Sequence, residues 1–156
     1  MSKLHIKQTG NSGRVVNVTP ENAGWKYVGF DLYKLKPGEK AAEATGSEEI
    51  CLVFITGKGK VTAGTEDFGT LGERMTVFEG LPASVYIPAG SEWSVTAETD
   101  VELAVCKAPG EGGTLPARVI PNEWLSQETR GKGANIRHVT NILPENRPAE
   151  SLLVVE

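Results

Sequence analysis

Short runs of alternating character recur along the first two thirds of the chain, and glycine or proline turns separate them. Val101, Leu103 and Val105, for example, alternate with Glu102 and Ala104. Successive side chains of a strand point to opposite faces of a sheet, so a period of two is typical of β-strands. Turns lie at 36–38, 56–59, 63–65, 79–82, 88–90 and 108–110. This even spacing predicts an all-β antiparallel sandwich or barrel.

Two other segments refine this expectation. The segment 50–55 is apolar at every position, which predicts a central strand covered on both faces. Only 122–129 has a helical pattern, because Pro121 is placed to open a short helix and Gly131 to close it.

Composition limits the classes of partner. The 156 residues fit one domain with one core, and the net charge of -4 argues against a nucleic-acid partner. No stretch approaches the roughly 18 apolar residues of a membrane span. The segment 1–13 lacks the apolar core of a secretory signal, so we expect a cytoplasmic protein without a membrane partner.

The two cysteines, Cys51 and Cys106, each lie inside an apolar run. We interpret them as buried free thiols that pack as small apolar side chains. A disulfide stays open as the alternative. A metal pair is not expected, because no further cysteine or nearby histidine completes a ligand set.

Two segments, 37–59 and 88–96, share a common frame. The first opens on a turn at 37–38 and closes on a turn at 57–59, and the second opens on a turn at 88–90. In spacing, these segments resemble the two motifs of a cupin, a double-sheet jelly roll. The resemblance implies a cupin-type jelly roll with one short helix and an extended C-terminal connector.

The positions at which a cupin holds its metal carry other residues here. They fall on Ala44, Gly46, Ile50 and Trp93, none of which can bind a divalent ion. Glu49 lies one position from the expected glutamate, so strand alternation predicts that it points to the opposite face. We therefore expect no metal on this chain.

The two histidines of the chain, His5 and His138, do not belong to a ligand-spaced pair. We interpret both as solvated or hydrogen-bonded. A metal role for His138 would require ligands from another chain or segment.

The pattern changes after Pro109. We expect one cupin-like domain, 1–156, with a core of about 14–108 and an extended connector over 109–150 that lies against the barrel. The terminal segment 151–156 reads as a strand, which either pairs inside the fold or leads into a second cupin.

Six segments carry a more specific resemblance. They are VTPENAGWKYVGF at 18–30, DFGTLGERM at 67–75, ELAVC at 102–106, TRGKGAN at 129–135, NILPE at 141–145 and SLLVVE at 151–156. In register over nearly the whole chain, they resemble the N-terminal half of the 5-deoxy-glucuronate isomerase family.

That resemblance implies a two-cupin protein whose metal-binding residues belong to the C-terminal cupin. The implied reaction is an aldose–ketose isomerisation of a deoxy-uronic acid in myo-inositol catabolism. A divalent metal would act there as a Lewis acid and a side chain would move the proton. No catalytic residue of the family maps onto this chain.

A basic cluster is the candidate substrate-binding site. It consists of Arg130, Lys132, Asn135 and Arg137. The planar fork of an arginine matches a carboxylate, so this cluster could hold a sugar acid. The alternative is a polar connector whose turns Gly131 and Gly133 permit.

Among the tryptophans, Trp93 has two interpretations. Trp93 is either a sugar-stacking platform or, as we favour, a core residue that fills the space of the absent metal. Trp25 begins a strand, and Trp124 anchors the short helix.

Three functions follow. The first is a non-catalytic half-enzyme that self-associates, or pairs with a second cupin half, through an exposed apolar edge at 152–155. The second is a free-standing cupin that binds a sugar acid in an apolar pocket around Ala44, Gly46 and Trp93. The third is a metal-free acid–base enzyme, with Glu49, Glu92 or Lys132 as candidates, although no spacing supports it.

Overall fold

The computed structural model describes residues 5–156, and three antiparallel sheets account for its strands. The strands are β1 (Gly13–Val18), β2 (Gly29–Leu35), β3 (Lys40–Ala44), β4 (Glu48–Thr56), β5 (Gly59–Ala63), β6 (Glu66–Leu71), β7 (Ser84–Ile87), β8 (Glu92–Ala97), β9 (Val101–Pro109), β10 (Arg118–Ile120), β11 (Ser126–Arg130), β12 (Arg137–Leu143) and β13 (Val154–Val155).

Two of the sheets form a jelly roll. A six-stranded sheet of order β1-β2-β9-β4-β7-β10 faces a four-stranded sheet of order β3-β8-β5-β6. β4 lies between β9 and β7 and is buried on both faces, as its unbroken apolar run predicts. The cupin-type fold predicted from the sequence is confirmed.

The space between these two sheets is the barrel interior. Alternate residues of facing strands fill it, which is the packing that a period of two produces. Its buried members include Tyr33, Leu35, Ile50, Leu52, Phe54, Val61, Val85, Ile87, Trp93, Val95, Leu103 and Val105.

A second core covers the outer face of the six-stranded sheet. It joins Cys51, Val53, Tyr86, Ala104, Ala108 and Ile120 to Ile142, Leu143, Leu152 and Val154. Residues of the segment after Pro109 therefore pack against the outer face of the barrel. The segment also forms a sheet of its own, of order β11-β12-β13, in which the terminal strand pairs inside the fold.

The helix expected over 122–129 is wrong. Asn122–Trp124 is a single 3₁₀ turn, and the chain then continues as β11, which pairs with β12. Tertiary pairing here overrides the local signal. The α-helix of the structure is instead Pro20–Ala23, α1, which Thr19 caps. Four residues are too few to show a helical period.

Among residues 5–156, no helix has the length and apolar character that crossing a membrane requires.

Candidate functional site

The structure does not bring the four expected ligand positions together. Ile50 and Trp93 are buried in the barrel interior, whereas Ala44 and Gly46 are exposed. The facing of β3 explains the difference, because its odd-numbered residues point inward and Ala44 is therefore turned outward. Gly46 lines a polar cavity, and neither Ala44 nor Trp93 is among the residues that line it with Gly46.

Trp93 is a core residue rather than a stacking platform. Only 3% of its surface is exposed, and its ring meets that of Tyr33 edge to face, with centroids 6.0 Å apart and an interplanar angle of 86°. Such pairs add stability beyond the apolar area that they bury. A ligand has no open ring face to stack on.

Beside this aromatic pair lies a ring of four alternating charges, formed by Arg14, Glu43, Lys107 and Asp31. Lys107 Nζ lies 2.6 Å from Asp31 Oδ2 and 3.6 Å from Glu43 Oε2. Arg14 Nη1 lies 2.7 Å from Glu43 Oε1 and 3.9 Å from Asp31 Oδ2. The two positive and two negative charges balance, and we call this arrangement the charge ring.

Neutral side chains complete the charge ring. The Tyr33 hydroxyl donates to Glu43 at 2.6 Å, and the Asn17 amide donates to Asp31 at 2.6 Å. Burial, followed by the hydrogen bond to Glu43, raises the pKa of Tyr33, so its hydroxyl stays protonated as a donor. Asp31 is fully buried, and such a charge is tolerated only where it is paired.

Sequence reasoning missed the charge ring. β2 alternates in the sequence, and its inward face is the one that carries Asp31 and Tyr33. An aspartate on the buried side of a strand was the available signal, because buried carboxylates require partners.

These residues do not fit the divalent metal that the family resemblance implies for the other cupin. Both carboxylates of the charge ring are already paired with cations. Across residues 5–156, no group of three or more histidine, cysteine, aspartate or glutamate side chains is placed to hold an ion. His5 is exposed, and His138 lies at the exposed start of β12, with its Nδ1 3.3 Å from the Thr129 hydroxyl.

A polar cavity of about 440 Å³ opens above Lys107 at the mouth of the barrel. Thr45, Ser47 and Glu48 form part of its lining, and Tyr27 stands at its rim. The cavity carries hydrogen-bonding groups, but the Lys107 ammonium is already paired with Asp31 and Glu43.

The two cysteines occupy opposing positions on β4 and β9. Both are free thiols, as interpreted from the sequence. Burial raises the pKa of Cys106 to about 11 and that of Cys51 well above its usual range. Thiols in this state are poor nucleophiles.

The candidate acid–base residues lie on different elements. Glu49 is buried on the outer face of β4, as strand alternation predicted, while Glu92 is exposed at the start of β8 and Lys132 lies beyond the end of β11. Glu49 accepts hydrogen bonds from Tyr86 and from the chain at 150–152. It therefore serves as an anchor.

The predicted substrate-binding residues do come together, at the tip of the β11–β12 hairpin. Arg130 and Arg137 are direct cross-strand partners, and both are exposed. Lys132 and Asn135 form the connecting turn, in which the Asn135 N–H donates to the Lys132 carbonyl at 3.1 Å. Their role in binding remains a prediction.

An apolar groove of about 590 Å³ runs along the outer surface. Tyr27, Val28, Phe30, Cys106 and Leu153 are among its lining residues. The expected apolar edge at 152–155 is half exposed: Leu152 and Val154 are buried, whereas Leu153 and Val155 are exposed.

Known proteins with similar sequences are named isomerases. The chain is 49% identical to a 5-deoxy-glucuronate isomerase from Geobacillus kaustophilus over 159 residues, covering 100% of this chain and 57% of that protein. It is 50% identical over 145 residues to the protein of that name from Geobacillus thermodenitrificans, covering 92% and 53%. The chain thus spans little more than half the length of these relatives.

Solved structures agree with the fold. An IolB-like protein from Salmonella typhimurium LT2 superposes with a TM-score of 0.90 at 48% identity, over 96% of this chain and 57% of the other. A mutant oxalate decarboxylase from Bacillus subtilis superposes with a TM-score of 0.53 at 20% identity, over 74% and 30%, which shows the fold alone.

The model of the KduI/IolB family matches residues 2–156, which is almost the entire sequence. The chain belongs to the KduI/IolB family.

Proposed function

We propose that this chain is the non-catalytic half of a 5-deoxy-glucuronate isomerase that acts in inositol catabolism in the cytoplasm. The observation that carries the proposal is the filled barrel interior. Trp93 stands at a position where a cupin would hold its metal and packs against Tyr33, and the charge ring uses the nearby carboxylates. The chain contributes packing and an assembly surface, and a second cupin half supplies the divalent metal and the proton transfer.

The apolar groove is the proposed assembly surface. Tyr27, Val28 and Leu153 line it and are each more than half exposed to water. Exposed apolar patches of this kind mark interaction sites in soluble proteins. The relatives are longer by close to half their length, which leaves room for a partner of domain size.

Activity measurements test the catalytic part of this proposal. The purified chain is assayed with 5-deoxy-glucuronate, with added zinc or manganese, beside a full-length relative as the positive control. We expect no turnover by the chain and no stoichiometric metal in it. Turnover by these 156 residues would overturn the proposal.

A binding measurement tests the groove. The partner is the C-terminal portion of the Geobacillus kaustophilus isomerase that this chain does not match, added in trans. We expect association in sedimentation experiments, and Leu153→Ser should weaken it. Phe78→Ser is the matched control, because Phe78 is 92% exposed and lies outside the groove. Equal effects of the two substitutions would contradict the assignment.

Without a second half, we expect the chain to self-associate through the same groove at high concentration. A clean monomer in the ultracentrifuge at high concentration would count against this.

A free-standing binding protein for a sugar acid is the second candidate. The polar cavity above Lys107 favours it, because its volume of about 440 Å³ is within the usual range of ligand sites. Calorimetric titration with D-glucuronate, of the chain and of its Ser47→Trp variant, separates the candidates. Loss of binding in the variant would place the ligand in this cavity.

A further inference from the structure

We propose that the tip of the β11–β12 hairpin binds the carboxylate of a small hydroxylated acid between Arg130 and Arg137. The choice of a sugar acid rests on the proposed function, whereas the anion site rests on the hairpin itself. All five residues of β11 are exposed, as are Arg137 and His138 on β12. The tip is therefore open to a ligand.

The two arginines are placed at an energetic cost. Arg130 and Arg137 are register partners on adjacent antiparallel strands. Their side chains thus leave the same face of the hairpin, and like charges that are directly opposite destabilise a sheet. An anion between them would convert this repulsion into two attractions.

The local carboxylates neutralise only one of the two arginines. Glu128 pairs with Arg130 on the same strand. Within residues 5–156, no carboxylate lies within ion-pair distance of Arg137. Lys132 adds a third positive charge in the turn. A chain with a net charge of -4 thus concentrates positive charge at one exposed point.

The chemistry of the tip suits a hydroxylated carboxylate. Guanidinium groups present paired N–H donors that match the two oxygens of a carboxylate. The side-chain amide of Asn135 in the turn offers a further donor and acceptor for hydroxyl groups.

The turn holds the cations in position. Gly131 has φ +89°, and a Cβ there would lie 1.9 Å from the Asn135 carbonyl oxygen. Only glycine fits this backbone conformation, so the turn has a defined shape that fixes the start of β12 opposite the end of β11.

Titration of the full chain with D-glucuronate, followed by amide NMR, tests the proposal. D-glucose is the neutral probe, and sodium acetate and inorganic phosphate at matched ionic strength are the anion probes. We expect shifts at 128–138 with glucuronate, none with glucose and weaker shifts with acetate. Equal shifts with glucose, no preference over acetate, or stronger binding of phosphate would each overturn it.

Variants separate a binding role from a structural one. Arg137→Gln should weaken glucuronate binding about tenfold, the effect of losing one charge-assisted hydrogen bond. It should also leave thermal stability unchanged or raise it, because it removes the like-charge pair. Lys60→Gln, at the exposed position of β5, is the control and should change neither property.

A drop in stability of the Arg137→Gln variant together with unchanged binding would assign a structural role to the arginine and overturn the proposal. The groove variant Leu153→Ser probes a different surface. If glucuronate does not bind at the hairpin, the test of association through the apolar groove is therefore unaffected.

Discussion

The carboxylate of Glu49 accepts a hydrogen bond from the backbone N–H of Ser151 at 2.6 Å, across 102 positions of sequence. The N–H groups of Glu150 and Leu152 donate to the same carboxylate, and so does the Tyr86 hydroxyl, at 2.7 Å. One buried side chain thus ties the terminal segment to the centre of the six-stranded sheet. The second core depends on this tie, since Leu152 and Val154 follow it directly.

Replacing Glu49 with glutamine should reduce the free energy of unfolding by about 2 kcal/mol. Glutamine has one acceptor oxygen, so its amide group would face a backbone N–H that needs an acceptor. Urea unfolding measures the change. Glu48→Gln, at the half-buried neighbouring position, is the matched control and should have a smaller effect. Equal losses would show that Glu49 is not a specific anchor.

The anchor should also make stability depend on pH. Burial alone would raise the pKa of Glu49, but the hydrogen bonds from Tyr86, Glu150, Ser151 and Leu152 outweigh it and lower the pKa. The unfolded state then binds the proton more readily than the folded state. The stability that Glu49 contributes is fully present above the ordinary glutamate pKa of 4.5. It is lost as the pH falls through the lower pKa of the folded state.

Unfolding free energies measured from neutral pH down through this acid range check the sign. The wild-type chain should lose more stability on acidification than the Glu49→Gln variant does. Parallel curves for the two proteins would mean that Glu49 does not titrate differently in the two states.

The charge ring should behave as a coupled unit. Lys107→Met leaves the buried Asp31 with a hydrogen bond from Asn17 and with Arg14, 3.9 Å away, as its remaining cationic neighbour in the charge ring. We expect a loss of about 3 to 5 kcal/mol. The double variant Lys107→Met with Asp31→Asn should recover much of this loss, because it removes the uncompensated charge. A double-mutant cycle by urea unfolding measures the coupling, and simple additivity would argue against the ring.

Trp93 should be the more important tryptophan for stability. Trp93→Ala opens a cavity in the barrel interior and should cost about 3 to 5 kcal/mol. Trp25→Ala is the natural comparison, since Trp25 is half exposed and should cost far less. Thermal unfolding of both variants measures the difference. Similar losses would contradict the placement of Trp93 in the core.

Gly131→Ala should disrupt the hairpin tip without unfolding the barrel. The added Cβ would collide with the Asn135 carbonyl, whereas at Gly133, which also has positive φ, a Cβ meets no atom within 4 Å. Gly133→Ala therefore controls for the backbone strain alone. Amide exchange should accelerate at 126–141 in the Gly131 variant only. Unchanged protection there would show that the turn tolerates the change.

Several features of this protein were predictable from its sequence because they depend on neighbouring residues. The period of two in β9 put Val101, Leu103 and Val105 on one face, and all three lie in the barrel interior. Alternation likewise put Glu49 on the opposite face from Ile50. The family resemblance is also a property of the sequence, and it is confirmed over residues 2–156.

Features that depend on distant pairing required the tertiary structure. The segment 122–129 has helical signals, yet β11 is a strand because β12 offers it a ladder of backbone partners. β3 is oriented so that Glu43 rather than Ala44 points inward. Glu43 there joins residues of β1, β2 and β9 in the charge ring. The sequence by itself determined which residues alternate and to which family the chain belongs. The tertiary structure alone decided which face is buried and which charges meet, because those contacts join strands that are far apart in the chain.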